Sequence, residues 1–286
     1  MKIVDDLKLF EFKSECDNSI REVLLAIPAN FKKNKKYPII ISPHPFGFSN
    51  FENYAYGTPA MIQPFSGWKG IPSKYSLIVA LPFGHGRVYD KISLSWEAQL
   101  EDISIIPKVL NNNGYNVSNV YIGGLSMGGM ESLSALGKYP DVFDAGFSFN
   151  GVADLGAWFE DIKNGLTDKE LVEMNIIETI EKEVGGTPDQ CPEEYKKRSA
   201  INYIDNLSKK PLMIYWSSKE DLAANQESKQ TKKLYDLIKK KYPNSEIFEY
   251  DHSFIHSFID FSSEERFRCH EFADFEIATK WLLNYG

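Results

Sequence analysis

A train of short, continuous apolar runs, separated by stretches of helical texture, constrains this chain more than any other feature. Pro38-Ile39-Ile40-Ile41-Ser42 is the first run, 77–81 the second and Val120-Tyr121-Ile122-Gly123 the third. Segments 145–149, 212–216 and the shorter 246–250 follow. A strand with one wet face alternates apolar and polar residues, whereas a run that is apolar throughout suits a strand covered on both faces. Residues 96–111, 127–138, 225–242 and 273–283 read as the intervening helices. Alternation of this kind predicts an α/β fold with a mostly parallel central sheet and helices on both faces.

Two regions depart from the rhythm. Residues 7–14 and 20–27 carry short alternations around the turn-prone Asp17-Asn18-Ser19, which predicts an antiparallel pair within an N-terminal strand extension, 1–36. Its closing lysine run, Lys32 to Lys36, reads as a solvated loop. Residues 155–207 lie between two predicted core strands and are too long for a simple crossover. With Gly185-Gly186-Thr187-Pro188 and charged helical stretches, they read as an inserted helical cap. About 50 residues would form only a marginal core alone, so residues 1–286 are expected to make one domain.

Composition narrows the function. Forty acidic residues against 32 basic ones, a formal charge of −8, disfavour nucleic acid as a partner, because phosphate binding relies on Lys and Arg. Cys16, Cys191 and Cys269 are too few and too scattered for a disulfide framework or a zinc site. No apolar run reaches the ~18 residues of a membrane span, and 1–12 lacks the pattern of a signal peptide. The expectation is a cytoplasmic protein with no membrane partner, metal or organic cofactor. Oligomeric state is not encoded in these features.

Gly124-Leu125-Ser126-Met127-Gly128-Gly129 follows a buried strand and opens an amphipathic stretch. A nucleophile on a tight strand-to-helix turn adopts a strained backbone, and the residues two before and two after crowd together. Glycine at 124 and 128 relieves that crowding. The helix beginning at Met127 also turns N–H groups and a positive dipole end toward a developing oxyanion. Ser126 is therefore the expected nucleophile.

From Val120 to Gly129, and on through Lys138-Tyr139-Pro140-Asp141-Val142-Phe143, the sequence resembles the α/β-hydrolase superfamily. Within it, the likeness is to esterases and prolyl-oligopeptidase-like serine hydrolases. Gly186-Thr187-Pro188, Tyr195, Arg198-Ser199 and the strand from Pro211 extend the resemblance over roughly residues 37–286. The family implies a Ser–acid–His triad in that chain order. His44-Pro45-Phe46-Gly47 resembles its oxyanion motif with Pro45 in place of glycine. Since proline has no N–H, the implied backbone donors are Phe46 and Met127, and His44 reads as a hydrogen-bonded loop residue.

The acid position of the family matches Asp221, after the 212–216 strand, with Glu220 and Asp154 as rivals. For the base, Tyr250-Asp251-His252-Ser253-Phe254-Ile255-His256 resembles the turn of prolyl-oligopeptidase-like enzymes and implies His256. His270-Glu271-Phe272 resembles the equivalent turn of carboxylesterases and implies His270. His252 reads as structural. Arg87, in Pro82-Phe83-Gly84-His85-Gly86-Arg87, offers a partner for a substrate carboxylate or for a surface ion pair. Trp158-Phe159 offers an apolar pocket wall or an anchor for the cap.

These residues predict a serine hydrolase, specifically a carboxylesterase acting on a small-molecule ester through a triad and an acyl-enzyme. A small-peptide serine peptidase is the second reading, set back by the expectation that the chain has no room for a gating domain. A non-catalytic binding scaffold is the third, since fold alone does not establish activity.

Overall fold

This computed structural model describes residues 5–44, 67–83, 93–167, 169, 172, 175–220, 222–251 and 274–286. The strands are β1 (Asp6–Lys13), β2 (Ile20–Ile27), β3 (Tyr37–Ile41), β4 (Ile78–Pro82), β5 (Val117–Leu125), β6 (Ala145–Phe149), β7 (Leu212–Trp216) and β8 (Ile247–Asp251). They form one sheet in the order β1-β2-β4-β3-β5-β6-β7-β8. The pairs β1–β2 and β2–β4 are antiparallel, and every later pair is parallel.

The helices are α1 (Ile71–Tyr75), α2 (Glu97–Asn112), α3 (Met127–Lys138), α4 (Leu155–Lys163), α5 (Ile176–Val184), α6 (Pro192–Lys197), α7 (Ile204–Leu207), α8 (Thr231–Lys241) and α9 (Phe275–Leu282). Continuous apolarity in the central strands has a direct cause. Ile39 and Ile41 of β3 join Ile78 and Ala80 of β4 on the face covered by α2, α3 and α8, where Leu100, Ile103, Leu133, Leu136, Leu234 and Ile238 are buried. Ile40, Val79 and Leu81 point to the opposite face, against Trp68, Ile71, Phe275 and Leu282. Each of the large aliphatic and aromatic side chains among them gains about 1.5–3 kcal/mol from burial, so both faces favour apolar residues.

The N-terminal pair is riveted to α2 by charge. Arg21 Nε lies 2.7 Å from Asp102 Oδ2, Arg21 Nη2 lies 2.8 Å from Asp17, and Ser14 Oγ donates to Asp102 at 2.6 Å.

Two helix starts follow from capping. Asp154 accepts from Ala157 N at 3.0 Å to open α4, and Asp274 accepts from Ile277 N at 2.9 Å to open α9. The expected 225–242 helix begins later, at Thr231. Asn225 takes φ 59°, and Gln226 Nε2 donates to Gly151 O at 3.1 Å and Ala223 O at 2.7 Å. Those bonds hold 225–230 in turns.

In the 155–207 segment, α5 buries Ile176, Ile180 and Val184 at a four-residue interval. They pack with Trp158 and Phe159 of α4 and with Met127, Met130, Leu222 and Ala223. The segment thus sits over the C-terminal ends of β5 and β7.

Candidate active site

β5 ends at Leu125 and α3 begins at Met127, so Ser126 alone makes the turn, with φ 57° and ψ −122°. A side chain in that conformation costs about 1–3 kcal/mol and persists only where its surroundings over-determine it. Here the Ser126 N–H donates to Phe149 O at 2.9 Å, and Ser126 O accepts from Met130 N at 2.9 Å as the first helical bond of α3.

The flanking glycines make the turn sterically possible. A Cβ on Gly124 would lie 2.7 Å from the Gly128 carbonyl carbon, and one on Gly128 would lie 2.2 Å from Pro43 O. The second contact brings the segment leaving β3 against the first turn of α3, where His44 is buried. That turn carries no acidic residue. The first N–H groups of a helix lack intrahelical acceptors, so this turn directs its N–H groups to the Ser126 end of α3, an arrangement suited to an oxyanion.

The ends of β6 and β7 continue the same floor. Asn150, at φ 43°, donates its N–H to Tyr215 O at 2.9 Å. Its Nδ2 donates to Glu220 Oε2 at 2.5 Å, and Glu220 Oε1 accepts from Leu222 N at 3.0 Å and Ala223 N at 3.1 Å. Trp158 Nε1 donates to Leu222 O at 2.8 Å. The loop after β7 is therefore pinned on both sides of position 221. Phe149 and Tyr215 stack at 4.2 Å, and burial raises the Tyr215 hydroxyl well above its ordinary range, which keeps it neutral.

Of the expected site residues, Ser126 and Met127 lie together on this turn. Phe46, Asp221, His256 and His270 lie outside the described residues, as do His85, Arg87 and His252. Asp154 is engaged as the cap of α4. Trp158 and Phe159 are buried anchors of the 155–207 segment, holding it to the loop after β7.

Sequence reasoning did not find Asn150 or Gln226. Asn150-Gly151 after an apolar run signals only a turn, and the partners of both side chains are distant in sequence. Among the described residues no three His, Cys, Asp or Glu side chains are grouped to hold a metal ion. No helix among them is long and apolar enough to cross a membrane.

Residues 89–275 match the model of the prolyl oligopeptidase family. Solved structures with the same fold include the acylaminoacyl peptidase of Pyrococcus horikoshii, at TM-score 0.70 and 18% identity, over 100% of this chain and 42% of that one. Dipeptidyl peptidase 4 of Porphyromonas gingivalis matches at TM-score 0.62 and 16% identity, over 99% of this chain and 36% of that one. An esterase of Rhizomucor miehei matches at TM-score 0.66 and 14% identity, over 98% of this chain and 83% of that one. The chain thus spans about two fifths of the length of these peptidases. No curated protein sequence gives a significant match. The architecture is the α/β-hydrolase fold.

Proposed function

The chain belongs to the prolyl oligopeptidase family, and from that premise we propose that it is a serine hydrolase cleaving carboxylic esters through Ser126. The observation that carries this reading is the strained Ser126 at the mouth of α3. Ser126 Oγ attacks the acyl carbon, His256 or His270 takes its proton, and the N–H groups of Phe46 and Met127 stabilise the tetrahedral oxyanion. The same histidine returns the proton to the leaving alcohol. Water then hydrolyses the acyl-enzyme by the reverse sequence. Asp221 orients the imidazole and stabilises its charged form.

Asp221 is preferred to Glu220 because both Glu220 oxygens already serve the loop and Asn150. Residues 155–207 act as a cap over the site within a single domain, and the substrate is a small-molecule ester. The chemistry uses no metal or organic cofactor. Three scattered cysteines, Cys16, Cys191 and Cys269, are the ground for placing the protein in a reducing, cytoplasmic setting.

Cleavage of small peptides is the second reading, favoured by the family and by the peptidases among its structural neighbours. Turnover of p-nitrophenyl acetate against aminoacyl and prolyl p-nitroanilides separates the two, and a strong preference for the anilides would replace the ester reading. Ser126→Ala should abolish both turnover and fluorophosphonate labelling. Undiminished turnover in that variant would remove the serine mechanism, and absence of labelling in folded wild-type protein would point to a binding scaffold.

A further inference from the structure

Glu131 lies on α3 just beyond the first turn after Ser126, and its side chain is fully buried. A lone buried carboxylate costs several kcal/mol, so such a group acquires a cation or keeps its proton. Its described partners are neutral. Ser93 Oγ donates to Glu131 Oε1, and with the Gln99 side chain and Ser95 backbone it favours the charged form, an effect that burial outweighs. Among the described residues, two charged groups face this region. Arg198, following α6, donates to Ser93 O at 2.9 Å and pairs with Glu183 at 3.4 Å, while Glu183 of α5 repels a charge on Glu131. Among the described residues, Glu131 Oε2 and Gln99 Oε1 are both buried without hydrogen-bond partners, and a carboxylate oxygen without a donor disfavours ionisation. Burial pushes the Glu131 carboxyl up to about 8.

The segment that Glu131 holds is strained. Ser93, Leu94 and Ser95 take φ 84°, 42° and 57°, three successive left-handed residues without a glycine. Such a run survives only where contacts enforce it. Leu94 of this turn is buried in one cluster with Met127 and Met130, so the turn shares an apolar core with the residue whose N–H follows Ser126. We propose that Glu131 is a positioning residue that, as a neutral acid, clasps the Ser93–Ser95 turn onto α3 and so keeps Leu94 in the apolar cluster that buries Met127, and the oxyanion donor in place.

This inference rests on the serine-hydrolase reading for its kinetic consequence but not for its stability consequence. Glu131→Ala should lower kcat ~10-fold or more with KM nearly unchanged, as expected for misplacement of a transition-state donor. Glu131→Gln, neutral and similar in shape, should restore kcat to within about 3-fold and remove the loss of activity expected of wild type as pH rises through about 8.

A carboxyl raised on folding stabilises the native state below its unfolded pKa, and that stability is lost as pH rises toward the folded value. The wild-type folding equilibrium should therefore weaken by up to ~tenfold per pH unit relative to Glu131→Gln across that window. Equal pH dependence of stability in the two proteins, or a Glu131→Gln as impaired as Glu131→Ala, would overturn the proposal. Should Glu131→Ala not fold, the comparison of wild type with Glu131→Gln still decides it. Turnover persisting in Ser126→Ala would remove the hydrolase reading and leave the stability comparison intact.

Discussion

Asn150 Nδ2 stands 2.5 Å from Glu220 Oε2, a bond between side chains 70 residues apart that ties the end of β6 to the loop after β7. Because Ser126 N bonds to Phe149 O, the neighbour of Asn150, this tie runs from the proposed nucleophile to the loop of the proposed acid. A triad needs its members held within a few tenths of an ångström, and this relay supplies a hydrogen-bonded span toward the loop of the proposed acid.

Truncating the relay should cost more than neutralising it. Glu220→Ala strands the N–H groups of Leu222 and Ala223, at about 1–3 kcal/mol for each buried donor left unpaired. Glu220→Gln should lose only about 1 kcal/mol, because Asn150 can rotate its amide and offer Oδ1, which has no partner among the described residues. Urea denaturation of both variants, alongside ester turnover, checks the order. Equal losses would mean that the negative charge, not the hydrogen bonds, holds the loop.

The turn at Ser126 makes an opposite pair of predictions. Ser126→Gly releases the positive-φ strain and should be more stable than Ser126→Ala by about 1 kcal/mol, after allowing for the greater flexibility of unfolded glycine. Gly128→Ala forces a Cβ onto Pro43 O and should lose about 1–3 kcal/mol. Fluorophosphonate labelling of Gly128→Ala should fall with it. Thermal or urea midpoints read both effects.

The base is tested by two histidine variants. His256→Ala should lose at least ~100-fold in kcat, the low end of general-base contributions, while His270→Ala keeps most activity. The path from the end of β8 at Asp251 to residue 256 is short, which is the reason for the preference. Steady-state kinetics with the reverse outcome would transfer the role to His270 and leave the other steps standing.

At the far edge, Arg21→Met removes the guanidinium that lies 2.7 Å from the buried Asp102. Breaking a buried pair from one side costs about 3–5 kcal/mol, whereas replacing both partners by apolar residues is often close to neutral. The double variant Arg21→Met/Asp102→Leu should therefore recover much of the stability lost in the single one. A chemical-denaturation cycle measures this, and no recovery would mean that other contacts of Arg21 carry the anchoring.

The sequence by itself determined the elements and the elbow. Ile39 to Ile41 are apolar at every position because residues of alternate orientation meet helices on opposite faces of the sheet. That requirement is written in consecutive residues. Gly124, Ser126 and Gly128 are legible as a strand-to-helix turn, since the crowding of Gly124 against Gly128 is local, although the approach of Pro43 to Gly128 is not. Only the tertiary structure decided what Asn150, Glu220, Gln226 and Glu131 do. Polar residues after strands or within a helix carry no periodic signal, and their meaning comes from partners 38 to 75 residues away. The start of α8 at Thr231 belongs with them: helical propensity continued back to 225, but Gln226 found acceptors on Ala223 and on Gly151 across the fold. Local pattern fixes which segments must be buried, while packing fixes which polar groups meet once they are.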